Sequence, residues 1–205
     1  MFIRKPKATT RREELTIFAK SNKHNGYCVA AVTKDNKIIR LVRDKEGHAL
    51  FENTCAEFKK LDKVVADITP ASLKNQHENF ILEEIISVGS KSDGKEFSNL
   101  LTNSPFIFGN TEPSLSKREM KKQKDTLVFA EVENLRIYRN GDDKYKADFS
   151  YRNHDYKGFS ITDPKFLNSE RIIEKARVLF SLPDAPFTRY GLERFYKFIC
   201  AVYLG

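Results

Sequence analysis

The sequence predicts a mainly β protein with a few short helices, built as two small β-barrels. Runs of alternating apolar and polar residues predict the strands, and tight-turn residues between those runs predict hairpins. The pattern breaks near the middle of the chain, and 205 residues are enough for two small domains. We therefore predict a flexible basic arm at 1–13, a first barrel at 14–110 and a second barrel at 111–205.

The first half contains three strand-like runs, at 15–19, 27–32 and 37–42. Short polar links join them, and Asp35-Asn36 supplies a tight turn, so the last two runs predict a hairpin. A further strand is predicted at 61–68, where Thr69-Pro70 ends it. Residues 47–60 remain ambiguous between strand and helix.

The middle of the chain predicts a connection that packs against something. Residues 89–114 are rich in Gly, Pro, Ser and Asn, yet they contain an apolar patch at 106–108 and a short helical candidate at 96–101. Ser116 and Glu119 have the spacing of a capping box, which predicts a short basic helix at about 116–124.

The second half returns to a strong β pattern. Strands are predicted at 127–139 and 145–151, joined by the turn Asn140-Gly141, and again at 156–162. Residues 169–177 predict a helix, and 195–204 fit a strand or a helix. About five strands in each half indicate small barrels of the oligonucleotide-binding (OB) type.

Charge favours a polyanionic partner. The formal net charge is +8, and a basic protein attracts nucleic acid through counterion release. Two groups of basic residues contribute: Arg4, Lys5, Lys7, Arg11 and Arg12 near the start, and Lys117, Arg118, Lys121, Lys122 and Lys124 after the connection. Such groups are either solvated faces or a footprint for phosphates.

The sequence does not favour a membrane protein, a secreted protein or an enzyme. No apolar run reaches the roughly 18–20 residues that span a bilayer, and the three cysteines with no export signal fit a reducing compartment, so we expect a cytoplasmic protein with no membrane partner. No nucleophile motif, phosphate-binding loop or paired metal-ligand spacing occurs. We therefore predict no enzyme activity, no metal and no cofactor.

Several short segments together resemble the dual OB-containing domain family. Residues 18–23, 26–31 and 39–42 are similar to its opening "L-A-x-S-x-K … G-x-C-V-A-G … W-I-R-P-V" pattern. Residues 76–79 resemble its "Q-x-E-N" element. The later matches, in family order, are Phe149-Ser150-Tyr151, 161–164, 179–182 and 196–201.

The resemblance implies two OB units and a nucleic-acid-binding role, often in phage or bacterial conflict. The chain departs from the family pattern because it has no Trp, Leu41 stands in place of a Pro, and Pro183 replaces a Gly. A stacking role for the family's Trp therefore cannot be carried over to this chain.

Two sets of polar residues are candidate nucleic-acid contacts, together with Lys117, Arg118, Lys121 and Lys122. Ser21, Lys23 and Arg40 can meet on one barrel face and suit phosphate oxygens. Gln76, Glu78 and Asn79 carry groups that read base edges. Both sets also have a structural interpretation, in which Arg40 pairs with Glu78 and residues 76–79 tie a loop between the barrels.

The aromatic residues Tyr27, Tyr151, Tyr156 and Phe159 are candidates for base stacking, although alternation places most aromatics in the core. Asp163 before Pro164 is expected to fix a turn. The function most consistent with these residues is non-catalytic binding of DNA or RNA. A protein-interaction module that inhibits or recruits a defence complex, and a sensor of a small nucleotide or modified base, remain as alternatives.

Overall fold

The structure is a computed structural model that describes residues 9–23, 26–71, 73, 75–168, 170–189 and 191–204. Five strands form the first barrel: β1 (Arg11–Lys23), β2 (Gly26–Thr33), β3 (Ile38–Val42), β4 (Asp62–Pro70) and β5 (Asn79–Lys91), with helix α1 (Glu52–Ala56) between β3 and β4. They close in the order β1-β2-β3-β5-β4, because β4 pairs back onto β1. The β3–β5 pair is parallel and the others are antiparallel.

A connecting segment follows, with two 3-10 turns at Lys95–Leu100 and Ile107–Gly109, strand β6 (Ser114–Leu115) and helix α2 (Lys117–Met120). The second half of the chain contains β7 (Leu127–Arg139), β8 (Tyr145–Tyr151), β9 (His154–Ile161), β10 (Arg171–Ser181), β11 (Phe187–Arg189), β12 (Leu192–Tyr196) and β13 (Phe198–Leu204). Its barrel strands close as β7-β8-β9-β13-β10, which repeats the strand order of the first barrel. Strands β11, β12 and β6 form a separate small sheet beside it.

The predicted fold class, mainly β with two barrels and a few short helices, is confirmed. The capping box is also present, because the Ser116 hydroxyl accepts from the Glu119 amide and the Glu119 side chain accepts from the Ser116 amide. The predicted helix at 169–177 is wrong, because residues 171–177 lie in strand β10. Pairing with β7 on one side and β13 on the other outweighs the helix propensity of its Glu, Lys and Ala residues.

The predicted arm at 1–13 lies mostly outside the described residues, and Arg11 to Glu13 already pair with β4 as part of β1. The predicted boundary near 110 falls in the connecting segment between the last strand of the first barrel and the first strand of the second. This segment packs against the barrels, since Ile107 and Phe108 are buried in the second barrel's core.

Three apolar cores hold the molecule together. Each barrel has one, and a third lies between the barrels. In β1, Ile17 points into the first barrel while its neighbour Phe18 points into the third core, as strand alternation requires. The Phe18 ring lies 4.7 Å from that of Phe129 on β7 and 4.4 Å from that of Phe97. The barrels therefore share buried apolar surface and form one unit.

Candidate nucleic-acid interface

Arg40 lies at the junction of the two barrels rather than on an open face. Alternation in β3 turns Ile39 and Leu41 into the first barrel's core and turns Arg40 toward the second barrel. Its side chain is only 4% exposed. The guanidinium donates to Glu78, Asn79 and Thr126 through Nη1, and to Ser181 Oγ and the carbonyl oxygens of Thr126 and Leu182 through Nη2.

The loop between β4 and β5 supplies the other half of this network. Glu78 accepts from Arg40 at 3.2 Å and also from the Thr126 hydroxyl. Gln76 donates to the Leu182 carbonyl oxygen of the second barrel at 3.2 Å, and its own oxygen accepts from Asn79. The ion pair between Arg40 and Glu78, which the sequence left open as a structural alternative, is thus present and joins the barrels.

Ser21 and Lys23 lie with Arg40 and Gln76 on the wall of one pocket between the barrels, with a volume of about 440 Å³. Ser21 is buried and donates to the Cys28 carbonyl oxygen. The Nζ atom of Lys23 lies 3.7 Å from Oδ1 of Asp184, which belongs to the second half of the chain. The structure therefore brings these four predicted residues together, while Glu78 and Asn79 accept hydrogen bonds from the Arg40 guanidinium.

The basic cluster Lys117, Arg118, Lys121 and Lys122 lies elsewhere, on and just after α2. All four side chains are exposed. Lys117 pairs with Glu193 on β12 at 3.6 Å, and β6, just before α2, pairs with β12. The cluster thus borders the small sheet of β11, β12 and β6.

Three of the four aromatics predicted as stacking candidates are buried. Tyr151, Tyr156 and Phe159 all lie in the second barrel's core, and none is more than 5% exposed. Tyr27 is half-buried and lies under the Lys20 ammonium, 4.7 Å from its ring centroid. Strand alternation explains the burial, because these side chains point into the barrel.

The two barrels differ in the face that OB folds use for ligands, which is formed by the second and third strands. In the first barrel this face is covered, because Ala30 of β2 and Ile38 and Arg40 of β3 pack against the second barrel. The corresponding strands of the second barrel are β8 and β9. Their outward side chains, including Lys146 and Asp148, are partly exposed.

A cleft of about 970 Å³ opens on this face of the second barrel. It lies between the β7–β8 turn, the start of β8 and the β11–β12 hairpin. Its polar and aromatic lining includes Asn140, Lys144, Lys146, Ser160, Phe187, Thr188 and Tyr196, and Asp142 and Asp143 also line it. Lys146 donates to Ser160 at 2.7 Å, and burial followed by the nearby Lys144 lowers its pKa. Asp143 pairs with Arg139 at the rim.

Phe187 and Tyr196, two aromatic residues of this cleft, were not among the site residues predicted from the sequence. Phe187 is 42% exposed and its ring lies 5.9 Å from that of Tyr196. The signal was present, since Phe187 stands between the turn-rich run Pro183-Asp184-Ala185-Pro186 and Gly191, as in a short hairpin. An exposed aromatic beside lysines is a surface on which bases can stack.

A cation site finds little support among the described residues. One group, Asp44, Glu46 and His48, places three possible ligand atoms within 4.8 Å. Asp44 already accepts hydrogen bonds from His48 and Arg43, and the Glu46 carboxylate lies 3.8 Å from the Lys45 ammonium. Burial alone would raise the pKa of Asp44, but these hydrogen bonds lower it to about 2.

Asp163 fixes a turn, as the sequence predicts, because its carboxylate accepts from the Lys165 and Val202 amides.

In the part of the chain that the structure describes, helices are too short and too polar to cross a membrane. The model of the dual OB-containing domain family matches residues 13–202. A comparison with curated proteins found no match.

Solved structures to which this chain is similar are about 10% identical to it in sequence. The tetrameric p202 HIN2 is 11% identical over 96% of this chain and 93% of its own, with a TM-score of 0.38. The Ifi202 HINa domain in complex with a 20-bp double-stranded DNA is 10% identical over 97% and 100%, with a TM-score of 0.40. A murine DNA-binding protein bound to double-stranded DNA is 9% identical over 95% and 100%, with a TM-score of 0.35.

Proposed function

The chain belongs to the dual OB-containing domain family, and we propose that it binds nucleic acid without catalysis through the cleft of its second barrel. The observation that carries the proposal is the difference between the two OB faces. The face of the first barrel is covered by Arg40 and its partners, whereas the face of the second barrel opens into a cleft of about 970 Å³.

The chemistry of the cleft suits a single strand or an unpaired segment. Lys144 and Lys146 offer ammonium groups to phosphates, and Phe187 and Tyr196 offer rings to bases. Asn140 and Thr188 add hydrogen-bonding groups at the wall. Stacking and phosphate contacts tolerate many sequences, so we propose limited sequence specificity.

The basic cluster on α2 extends this surface. Among the described residues, Lys121, Lys122 and Lys124 have no carboxylate oxygen within 4 Å, so their charges remain available to phosphates. The cluster borders the β11–β12–β6 sheet, whose other edge carries Phe187. We propose that a bound strand runs from the cleft toward this cluster.

Fluorescence anisotropy of labelled single- and double-stranded DNA and RNA, titrated at several salt concentrations, tests the proposal. The logarithm of the binding constant should fall linearly with the logarithm of salt concentration. Replacing Lys144 by alanine should reduce that slope by about 1, because one phosphate contact is lost. Lys45→Ala is the matched control, since Lys45 is an exposed lysine of the first barrel and should leave the slope unchanged.

Phe187→Ala separates stacking from charge. Loss of one stacked base costs about 1–3 kcal/mol, so affinity for single strands should fall about 5- to 150-fold with the salt slope retained. Phe51→Ala is the control, because Phe51 is a comparably exposed phenylalanine on the first barrel. Absence of salt-dependent binding to every nucleic acid tested would refute the proposed function.

The setting that we propose, phage or bacterial conflict, rests on the family resemblance. Bacteria that express the chain and are challenged with phage should form a different number of plaques from cells that lack it. The Lys144→Ala/Phe187→Ala double variant should abolish that difference if it depends on nucleic-acid binding. An unchanged effect in this variant would assign the phenotype to another surface.

A further inference from the structure

The pocket between the barrels adjoins the cleft but has a different lining, and it has the features of a small-molecule site. Its volume of about 440 Å³ lies within the range of about 300–1,000 Å³ that is usual for such sites. Residues of both barrels line it, including Ser21 and Arg40 from the first and Leu182 and Phe198 from the second. Because the third apolar core fixes the barrels together, the pocket is preformed.

The pocket walls are mostly apolar. Leu182, Pro183, Pro186, Phe187 and Phe198 contribute carbon surface, and Cys28 and Cys200 contribute thiols. Such a lining buries the faces of a flat ring and disfavours a strongly hydrated group.

The charges at the pocket cancel in pairs, which favours a neutral ligand over an anion. Arg40 is paired with Glu78 at 3.2 Å, and Lys23 is paired with Asp184 at 3.7 Å. A phosphate would meet no unpaired cation among the described wall residues. A neutral ring avoids the cost of desolvating a phosphate without such a partner.

One donor of the Arg40 side chain remains for a ligand. Both Nη atoms donate to protein oxygens, while Nε makes no hydrogen bond within the described residues. Arg40 lines the pocket, so this N–H is the guanidinium donor at the wall that has no protein acceptor among the described residues. A ligand acceptor, such as a carbonyl oxygen or a ring nitrogen, would pair with this N–H.

We propose that the pocket between the barrels takes up one nucleobase, a neutral planar heteroaromatic ring whose acceptor faces Arg40. Phe187 and Phe198 line both this pocket and the cleft of the second barrel, so the two spaces adjoin. The base can belong to a free nucleoside or to a strand bound in the cleft. The second source rests on the proposed function, whereas the first does not.

Cys28 provides a direct readout of occupancy. It lines the pocket and is half-buried, whereas Cys55 and Cys200 are buried, and burial raises the pKa of Cys55 to about 11 and raises that of Cys200 as well. Alkylation of Cys28 by iodoacetamide, followed peptide by peptide with mass spectrometry, should slow when the pocket is filled. At a nucleoside concentration of ten times its Kd, the rate should fall about tenfold by mass action.

The two sources of the base are distinguished by separate arms of this experiment. Free adenosine, guanosine, cytidine, uridine and thymidine form the first arm, with ribose 5-phosphate as the control that lacks a base. A natural oligonucleotide forms the second arm, with an abasic strand of the same length as its control. Protection by a nucleoside supports a free base, and protection by the natural strand but not the abasic one supports a base from the strand.

Ala185 lines the pocket at its exposed rim. In Ala185→Trp the indole should fill the pocket, so a nucleoside or strand should no longer slow the alkylation of Cys28. In Ala185→Ser the ligand should still slow it. If neither nucleosides nor natural strands protect Cys28 while anisotropy still reports binding, the pocket proposal fails and the proposed function stands. If nucleosides protect Cys28 but no strand binds, the proposed function fails and the pocket proposal stands.

Discussion

Replacing Arg40 by methionine is expected to lower the free energy of unfolding by about 3–5 kcal/mol, the usual effect of removing one partner of a buried ion pair. Glu78, whose side chain is 11% exposed, would lose its cationic partner. Ser181 and Asn79 would lose a donor at the junction of the barrels. Urea denaturation followed by circular dichroism measures the change, and an unchanged m-value would show that the same surface still unfolds.

Arg43→Met is the matched control for this variant. Arg43 follows β3 by one residue and pairs with Asp44, but its side chain is 37% exposed. Exposed pairs contribute about 0–1 kcal/mol, so this variant should remain close to the wild type. An Arg40→Met variant as stable as Arg43→Met would contradict the role of Arg40 in joining the barrels.

The fold followed from local features of the sequence wherever local and tertiary preferences agree. Alternation at 145–151 and the Asn140-Gly141 turn predicted β8 and the turn before it, because Tyr145, Ala147 and Phe149 lie on one face of a strand and a one-residue slip of register would turn that face away from the core. The first part of β10, residues 171–177, was predicted as a helix because Glu174 and its neighbours favour a helix in isolation. Its conformation is decided by β7 and β13, whose pairing the local sequence does not specify.

The candidate site was only partly predictable, and Arg40 shows the reason. The sequence left open whether Arg40 contacts phosphates or pairs with Glu78, and its burial depends on Thr126 and Ser181, which lie 86 and 141 positions away. The packing of the two barrels determines which OB face stays open. Phe187 is a candidate contact because it lines the cleft on the face that stays open. A single sequence contains the residues of both faces but does not show which face the other barrel covers.

Replacing Lys197 by methionine is also expected to lower the free energy of unfolding by several kcal/mol. It is completely buried and its ammonium donates to the Ile107 carbonyl, the Asn110 carbonyl and Asn110 Oδ1, each at 2.7 Å. These bonds fasten the connecting segment to the second barrel. In Lys197→Met the two carbonyl oxygens lose this donor, while Asn110 Oδ1 keeps the Glu112 amide. At about 1–3 kcal/mol for each unsatisfied group, the free energy of unfolding should fall by about 2–6 kcal/mol.

The cost of this substitution should also depend on pH. Burial lowers the pKa of Lys197 to about 7, although Glu119 and Glu112 act in the opposite direction, whereas an unfolded lysine has a pKa of 10.5. Between these values the unfolded chain binds more protons than the folded chain, so wild-type stability rises with pH, by up to about 1.4 kcal/mol per unit. Below pH 7 this contribution is constant.

The variant lacks this titration, so the difference in stability between wild type and Lys197→Met should widen from pH 7 to pH 9. Urea denaturation of both proteins at pH 6, 7, 8 and 9 measures that difference. Lys144→Met removes an exposed lysine of the same barrel and should keep the wild-type rise. A difference that stays constant over this range would mean that Lys197 remains charged throughout, because its three acceptors, which match the three donors of an ammonium, then outweigh the cost of burial.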